Sequence, residues 1–543
     1  MTRLNAVSLP IRTMANLTMT LSTRRARLLI AVLAAGATVL TMPPFGWWPL
    51  TFLTSAVLLW CVRGQTARHA LGIGFASGFV FYAAQTSWLT TYLGPVPWLA
   101  LSILEGALFA LGSLGLMVVW RLHDESFAQE GASSLGRTLA KITSTRGFLI
   151  LGLALVWVAR EWITGHLPYG GFQWSRLGQT QSATLLARWS YWGGVSAVSL
   201  SVAVISATFL VLVATRFVWT SLIPAAASIL IPLFTFINAS GQGSAVIGAV
   251  QGNANAGLFA NYAPGSILEK HIATTRLMLR DPMAKHLDFT VWPENSSDRD
   301  PLQDPFAHQD IVNLVNHELK RPLVLGAVTW RNNKVFNSSM VFEPNRDVRQ
   351  IYDKKRPVPF AEYVPDRPFW YAVAPSFIGL IQRGFDFGSH SGVMKVAGAR
   401  AGALICFEIA IDDVSHDLVS QGAQVILSQA NNADFAKSAE TFQQEALARL
   451  QAMATGRSIV HVSTVGVTEV IRADGSISGH LKPFERGYLI KKVTLSDQLT
   501  PAMRFYGWVD NLALVFTLIA LANYLYLSRA RKRQTQKSLR LQN

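Results

Sequence analysis

Charge is scarce in this chain. Of 543 residues only 15% are Asp, Glu, Lys or Arg, whereas a soluble globular chain carries about a quarter. With half of the residues hydrophobic and a mean hydropathy of +0.28, that scarcity excludes a disordered chain and an ordinary soluble enzyme. Cysteine is nearly absent too. Cys61 and Cys406 are the only two, which excludes a disulfide framework and leaves at most one bridge or two free thiols. No Gly-x-Ser-x-Gly elbow, phosphate-binding loop or dinucleotide fingerprint occurs. His390, His416, His461 and His480 are scattered, without metal-ligand spacing or partner cysteines. Competing chemistries that need those motifs therefore have little behind them. What the chain does have is aromatic and basic residues: 16 Trp, 29 Phe, and 48 Lys and Arg against 32 Asp and Glu. The aromatics, among so few charges, point to a lipid-embedded part. The net charge of +16 would indicate nucleic acid in a soluble protein, so the positions of the cations decide its meaning.

A membrane-crossing helix needs about 20 apolar residues. Eight candidate runs stand at about 27–42, 46–62, 69–91, 95–120, 147–165, 190–214, 219–237 and 509–528. The chain thus divides into a basic tail (1–26), a membrane domain of about seven spans (27–240), a water-soluble α/β domain (245–500), a last span (509–528) and a second basic tail (529–543). No small-residue cleavage site follows the first run, and Pro43-Pro44 leads straight into the second, so the first run reads as an uncleaved span. With the N-terminus in the cytoplasm, the inner segments hold Arg3, Arg12, Arg24, Arg25 and Arg27, then Arg63 and Arg68, then Arg121, Arg137, Lys141 and Arg146, then Arg216, then six cations from Arg529 to Arg540. The short outer connections hold only Arg176 and Arg188. This is the positive-inside pattern. It accounts for the basic excess without nucleic acid, and it places both termini in the cytoplasm and the 245–500 domain outside it, on a multi-pass protein of the cell membrane.

Within the soluble part, strand candidates at 244–250, 288–292, 323–329, 401–405, 425–428 and 459–463 alternate with helical periodicity at 266–279, 311–319 and 441–455. Helices between β-branched strands predict an α/β layered sheet, and several strands end on a polar residue, where such sheets build their sites. Three segments stand out: Val291-Trp292-Pro293-Glu294, the run from Tyr352-Asp353-Lys354-Lys355-Arg356 to Glu362-Tyr363, and Leu404-Ile405-Cys406-Phe407-Glu408. Taken singly, each has an ordinary reading. Cys406 fits a buried small hydrophobe, Glu294 a helix cap, Lys354 a solvated cation. A Cys406–His461 pair is also open, although nothing in the sequence orients the imidazole. A lone thiol outside the cytoplasm is unusual, however.

Taken together, and 60 and 52 residues apart in the chain, Glu294, Lys354 and Cys406 resemble the nitrilase superfamily, where a Glu, a Lys and a Cys converge. Within it the chain resembles the membrane-anchored apolipoprotein N-acyltransferase branch over nearly its whole length. Val250-Gln251-Gly252-Asn253, the Gly165–Gln179 stretch with Trp174, Thr464-Val465-Gly466, and Thr500-Pro501 with Tyr506-Gly507 add to the match. The resemblance implies an extracytoplasmic αββα sandwich and a two-step acyl transfer, from a phospholipid donor to the amine of a diacylated lipoprotein. Cys406 would be the nucleophile, Glu294 the base, and Lys354 the oxyanion stabiliser with the Phe407 N–H beside it. The family's spacing to Glu362 selects Lys354 over Lys355. Glu362 and Glu408 match acids that support the lysine and the nucleophile loop. A thiol suits the task, since a thioester gives its acyl group to an amine more readily than an oxygen ester does. Trp174, Tyr352 and Glu105 stand as candidate substrate contacts. Glu105 and the Arg160-Glu161 pair are ionisable groups inside apolar runs, which are costly and often functional, so the outer halves of these spans are expected to form a lipid-entry cavity.

Three departures mark this chain. Phe407 stands where the family often has Tyr, Ala361 where it has Gly, and Gln443-Gln444…Gln451-Ala452-Met453-Ala454 where it commonly reads Gln-His…Arg-Ala-x-Glu. Two other functions use the same residues: a membrane-anchored hydrolase with water as second nucleophile, and a catalytically dead lipid-binding or transport scaffold.

Overall fold

The computed structural model describes residues 23–124, 134–214, 219–237, 243–257, 262–346, 348, 350–381 and 383–542. Arg3, Arg12 and Arg216, used above to orient the chain, lie outside the described residues, as does most of the 1–26 tail.

The apolar runs fold as helices, three of them started by a threonine cap. Thr23 and Thr145 accept the N–H groups of Ala26 and Phe148 at the starts of Arg24–Val39 and Arg146–His166, and Thr66 caps Ala67–Gln85 in the same way. Leu50–Cys61, Pro95–Asp124, Ser190–Ala214, Ile223–Leu233 and Trp508–Gln542 complete the set. Among the described residues four helices are long and apolar enough to cross a membrane: Pro95–Asp124, Arg146–His166, Leu185–Val213 and Trp508–Arg529. The other four candidate runs form shorter or less apolar helices packed among these. The pairing of Ala67–Gln85 with Pro95–Asp124 depends on glycine. A Cβ on Gly74 would lie 2.3 Å from Ser113 Oγ, and one on Gly78 would lie 2.5 Å from Phe109 Cβ. Without those side chains the backbones approach closely, the small-xxx-small device of apolar helix pairs.

The α/β half holds twelve described strands: β1 (Gly243–Gln251), β2 (Phe289–Val291), β3 (Leu323–Arg331), β4 (Lys334–Phe342), β5 (Gln350–Asp353), β6 (Val393–Val396), β7 (Ala399–Ile405), β8 (Val425–Ala430), β9 (Ser458–Ser463), β10 (Thr468–Ile471), β11 (Ile477–Leu481) and β12 (Gly487–Leu495). They form two six-stranded sheets, ordered β12-β1-β2-β3-β4-β5 and β11-β10-β9-β8-β7-β6. Side chains alternate as the pleat requires. Ile247 and Ala249 of β1, Val291 of β2, Ala403 and Ile405 of β7 and Leu427 of β8 meet between the sheets. Val250 faces outward, to the helices Ser266–Met278 and Pro305–Asn313. Leu404 and Ile426 face the opposite way, to Asp412–Ser420 and Glu440–Thr455. The result is an αββα sandwich. Each fully buried Leu, Ile or Val contributes roughly 1.5–3 kcal/mol, and they make up most of the layer between the sheets, with Ala245, Ala249, Ala401 and Ala403 as its small residues and Phe289, Tyr352 and Met394 as its large ones.

The two halves share a packed joint. Leu450 and Met453 of Glu440–Thr455 pack on Ala187, Val195 and Val198, while Leu447 and Ala410 meet Trp88 and Trp174.

Candidate active site

Three chain reversals bring the reactive residues together. Glu294 follows β2, Lys354 follows β5, and Cys406 follows β7. Lys354 Nζ lies 2.8 Å from Glu362 Oε1 and 3.9 Å from Glu294 Oε1. Asn337 of β4 donates from Nδ2 to Glu294 Oε1 at 2.7 Å and to Glu362 Oε1 at 3.3 Å. Glu294 Oε2 is buried with no hydrogen-bond partner. Cys406 is close enough to act electrostatically on both Glu294 and Lys354. It sits at φ +53°, a left-handed conformation that a residue with a Cβ holds only when its surroundings impose it.

Glu408 imposes it. From the short helical turn Cys406–Ala410, its Oε2 accepts the Ile405 N–H at 2.9 Å, and its Oε1 accepts the N–H groups of Lys355 (2.8 Å) and Arg356 (3.1 Å). The Tyr352 hydroxyl donates to the same carboxylate at 2.9 and 3.0 Å. One buried side chain thus ties the sulfur-bearing turn to the loop that carries Lys354. On the membrane-half side, Phe172 and Trp174 each stack on Phe407 with centroids 6.0 Å apart. Arg176 pairs with Asp412 at 2.5 and 3.0 Å, and Gln173 Oε1 accepts the Asp412 N–H at 3.1 Å.

The electrostatics follow from burial and neighbours. Burial lifts the Glu294 carboxyl to about 7, although Lys354 pulls the other way. Lys354 is buried, which works against its charge, but Glu362 and Glu294 outweigh that and hold its pKa above the usual lysine value. Burial and the Glu294 charge push the Cys406 thiol well above its ordinary value. At rest the site therefore pairs a neutral thiol with a fixed ammonium and a carboxylate able to take a proton near neutral pH.

Glu294, Lys354, Cys406, Glu362, Glu408 and Phe407 thus share one site. The three candidate substrate contacts are placed otherwise. Tyr352 is wholly buried with its hydroxyl on Glu408, so it braces the clamp and has no surface to offer a substrate. Trp174 is 2% exposed, and its indole N–H donates to Gln443 Oε1 at 2.7 Å; it backs Phe407. Glu105 lies among the apolar helices near Arg160, apart from the three central residues. There the Arg160 guanidinium covers Phe109 and Trp157 at 4.5 and 4.8 Å, and Glu161 accepts the Leu177 N–H at 2.8 Å. Glu161 thereby ties the helix Arg146–His166 to the chain at Leu177. His461 is bonded to Ser428 at 3.0 Å and buried, which lowers its pKa to about 4; it does not pair with Cys406. Asn337 was not foreseen, and its one signal was a polar run, Asn337-Ser338-Ser339, inside an otherwise apolar strand.

Residues 34–208 match the family described as apolipoprotein N-acyltransferase N-terminal domain, and residues 259–498 match carbon-nitrogen hydrolase. A protein of Mycolicibacterium smegmatis named apolipoprotein N-acyltransferase is 31% identical, the match covering 89% of this chain and 82% of that one. Proteins of the same name from Vibrio parahaemolyticus and Azotobacter vinelandii are 26% and 27% identical, covering 89% and 88% of this chain and 94% and 92% of theirs.

Proposed function

The chain belongs to the apolipoprotein N-acyltransferase family, and from that premise we propose that it moves an acyl chain from a phospholipid, through a thioester on Cys406, to the free amine of a diacylglyceryl-cysteine lipoprotein. In the first half, the Cys406 proton passes to Glu294 as the sulfur attacks the ester carbonyl carbon. The oxyanion that forms is held by Lys354 Nζ and the Phe407 N–H. The C–O bond breaks, the leaving alkoxide takes the proton from Glu294, and a lysophospholipid departs. In the second half, the lipoprotein amine attacks the thioester carbon and gives a proton to Glu294. The C–S bond breaks, the proton returns to sulfur, and an amide remains. A single oxyanion donor in such a site is worth about 3 kcal/mol of barrier. The chemistry calls on no metal or organic cofactor, because the phospholipid is already an activated ester.

The observation that carries this reading is the meeting of a thiol, a buried ammonium and a carboxylate with a free buried oxygen. An exposed apolar segment follows Glu362 in the chain, its Trp370 packed on Phe360 with centroids 5.2 Å apart. Phe369, Tyr371 and Leu380 are 60%, 51% and 57% exposed, and the segment is tied to the membrane half where Tyr169 donates to Asp366 at 2.8 Å. Exposed aromatic and aliphatic surface of that kind suits acyl chains better than water.

The test is a labelled-phospholipid assay with and without a diacylated lipopeptide bearing a free amine. The transferase releases lysophospholipid in one burst without the amine and continuously with it. Continuous release without the amine is the hydrolase result, and no release at all is the scaffold result. The same assay reads Glu294. Its carboxyl is lifted to about 7 and must be ionised to accept the thiol proton, so the burst rate should rise as pH increases through about 7 and fall about tenfold for each pH unit below it.

The proposal includes an orientation: eight spans, both termini in the cytoplasm, and the sandwich on the outer face. Only Cys61 and Cys406 compete for thiol reagents, so single added cysteines report it cleanly. In intact cells a membrane-impermeant maleimide should label Lys285→Cys and leave Gln536→Cys unlabelled; the reverse pattern removes the orientation.

A further inference from the structure

Thr464-Val465-Gly466 and the altered Gln443-Gln444 pair have no part in the mechanism above, yet a chain of buried polar groups joins them to the sulfur. It starts at a group whose role is fixed. The Gly466 N–H can only donate, and it donates to Ser463 Oγ at 2.9 Å. The Ser463 hydroxyl proton is then free for the Asn432 Oδ1 it contacts. With that oxygen used, Asn432 Nδ2 is the atom facing Glu440 Oε2 at 2.6 Å and Gln444 Oε1 at 3.0 Å. Gln444 Oε1 is thereby the acceptor, and Nε2 is turned to Cys406 Sγ, 3.9 Å away. All four side chains are buried, so water does not scramble the order. Gly466 is needed for the approach: a Cβ there would lie 2.2 Å from Asn432 Oδ1 and 2.5 Å from Thr441 Oγ1.

We propose that Gln444 is a catalytic residue of this site, its side-chain N–H being the donor that receives the charge developing on the Cys406 sulfur. This rests on the reading of Cys406 as the nucleophile. The sulfur begins as a neutral thiol and becomes anionic only as Glu294 takes its proton. A bond to a charged acceptor is shorter and stronger than one to a neutral acceptor, so this contact tightens along the reaction path and favours the transition state over the resting state. A neutral amide has a further advantage here. A second cation beside the sulfur would also stabilise the Glu294 carboxylate and weaken it as a base, whereas Gln444 adds no charge to that of Lys354, the main cation acting on Cys406 among the described residues. The other titratable groups acting on this sulfur are Glu294, Glu440 and Glu362, with Tyr92 also within electrostatic reach.

The experiment is iodoacetamide alkylation of full-length enzyme in detergent, with the Cys406 peptide followed by mass spectrometry across pH. Gln444→Met keeps the length and removes the donor. It should slow alkylation about tenfold at neutral pH and move the midpoint of the rate curve up by about one pH unit. Gln444→His restores a ring N–H and should recover most of the rate. An unchanged rate and midpoint in Gln444→Met overturns the proposal. Equal slowing in both variants, with no shift of midpoint, also overturns it and reduces Gln444 to packing. Should Gln444→Met fail to fold, Ser463→Ala carries the test. It releases Asn432, and with it the Gln444 amide, so alkylation should slow several-fold; a native rate refutes the donor chain. Alkylation needs no phospholipid, so a wild-type enzyme that never takes an acyl chain would overturn the transferase reading separately.

Discussion

Cys406→Ala is expected to remove acyl-enzyme formation completely, while Cys61→Ala keeps activity near the wild-type level. The two sulfurs differ in everything except element. Cys406 heads a turn held at φ +53° and faces Glu294, Lys354 and Gln444. Without it the base and the ammonium remain, but no atom is left to hold the acyl chain, and covalent catalysis has no partial form. Cys61 ends the helix Leu50–Cys61, wholly buried among apolar side chains. Its replacement removes one sulfur atom from a packed interior, costing about 1 kcal/mol of stability and no chemistry. Intact-mass measurement after incubation with phospholipid decides the matter. An acyl adduct persisting on Cys406→Ala would put the nucleophile elsewhere.

Glu408→Gln is expected to lower activity at least a hundredfold and to destabilise the α/β half by about 2–4 kcal/mol. The substitution is isosteric, so the effect is one of polarity. Oε2 faces the Ile405 N–H, and Oε1 faces the N–H groups of Lys355 and Arg356. Whichever way the amide turns, its NH₂ meets a backbone N–H that needs an acceptor. The turn carrying Cys406 and the loop carrying Lys354 are then no longer held in one register, and a misplacement of about 1 Å is enough to cost such a factor. Thermal unfolding and burst amplitude, measured together, separate lost stability from lost alignment. Full burst activity in a destabilised variant would show that the clamp does not align the site.

The sequence was most legible where burial is most complete. The expected strands at 244–250, 288–292, 323–329, 401–405, 425–428 and 459–463 correspond to β1, β2, β3, β7, β8 and β9, which carry the parallel strand pairings among the described residues. Such strands are covered on both faces and read as continuous apolar runs. The strands that were not foreseen pair only antiparallel. β6, β11 and β12 have solvent-facing residues, while β4, β5 and β10 bury polar ones such as Asn337, Asp353 and Glu469, so neither group shows the run. In the site, Glu294, Lys354 and Cys406 were visible as strand-end residues in a recognisable order. Asn337 and Asn432 were not, because a side-chain amide that fixes a carboxylate or a glutamine from another strand leaves no periodicity behind. Tyr352 and Trp174 stand out in the sequence as aromatics, but their buried hydrogen bonds to Glu408 and Gln443 leave no trace in it, since an aromatic looks the same whether its ring lines a pocket or backs a loop. Arg176 was read as an outer-face cation, and its partner Asp412 lies 236 residues away.

The most direct test incubates wild-type enzyme with vesicles of a phospholipid of defined acyl chain, digests it, and weighs the peptide that contains Cys406. The account predicts one acyl chain on that peptide, lost on treatment with hydroxylamine and lost equally on adding a diacylated lipopeptide, which gains it as an amide. An acyl chain found on any other residue, or a Cys406 peptide that never changes mass while lipopeptide is acylated, contradicts it.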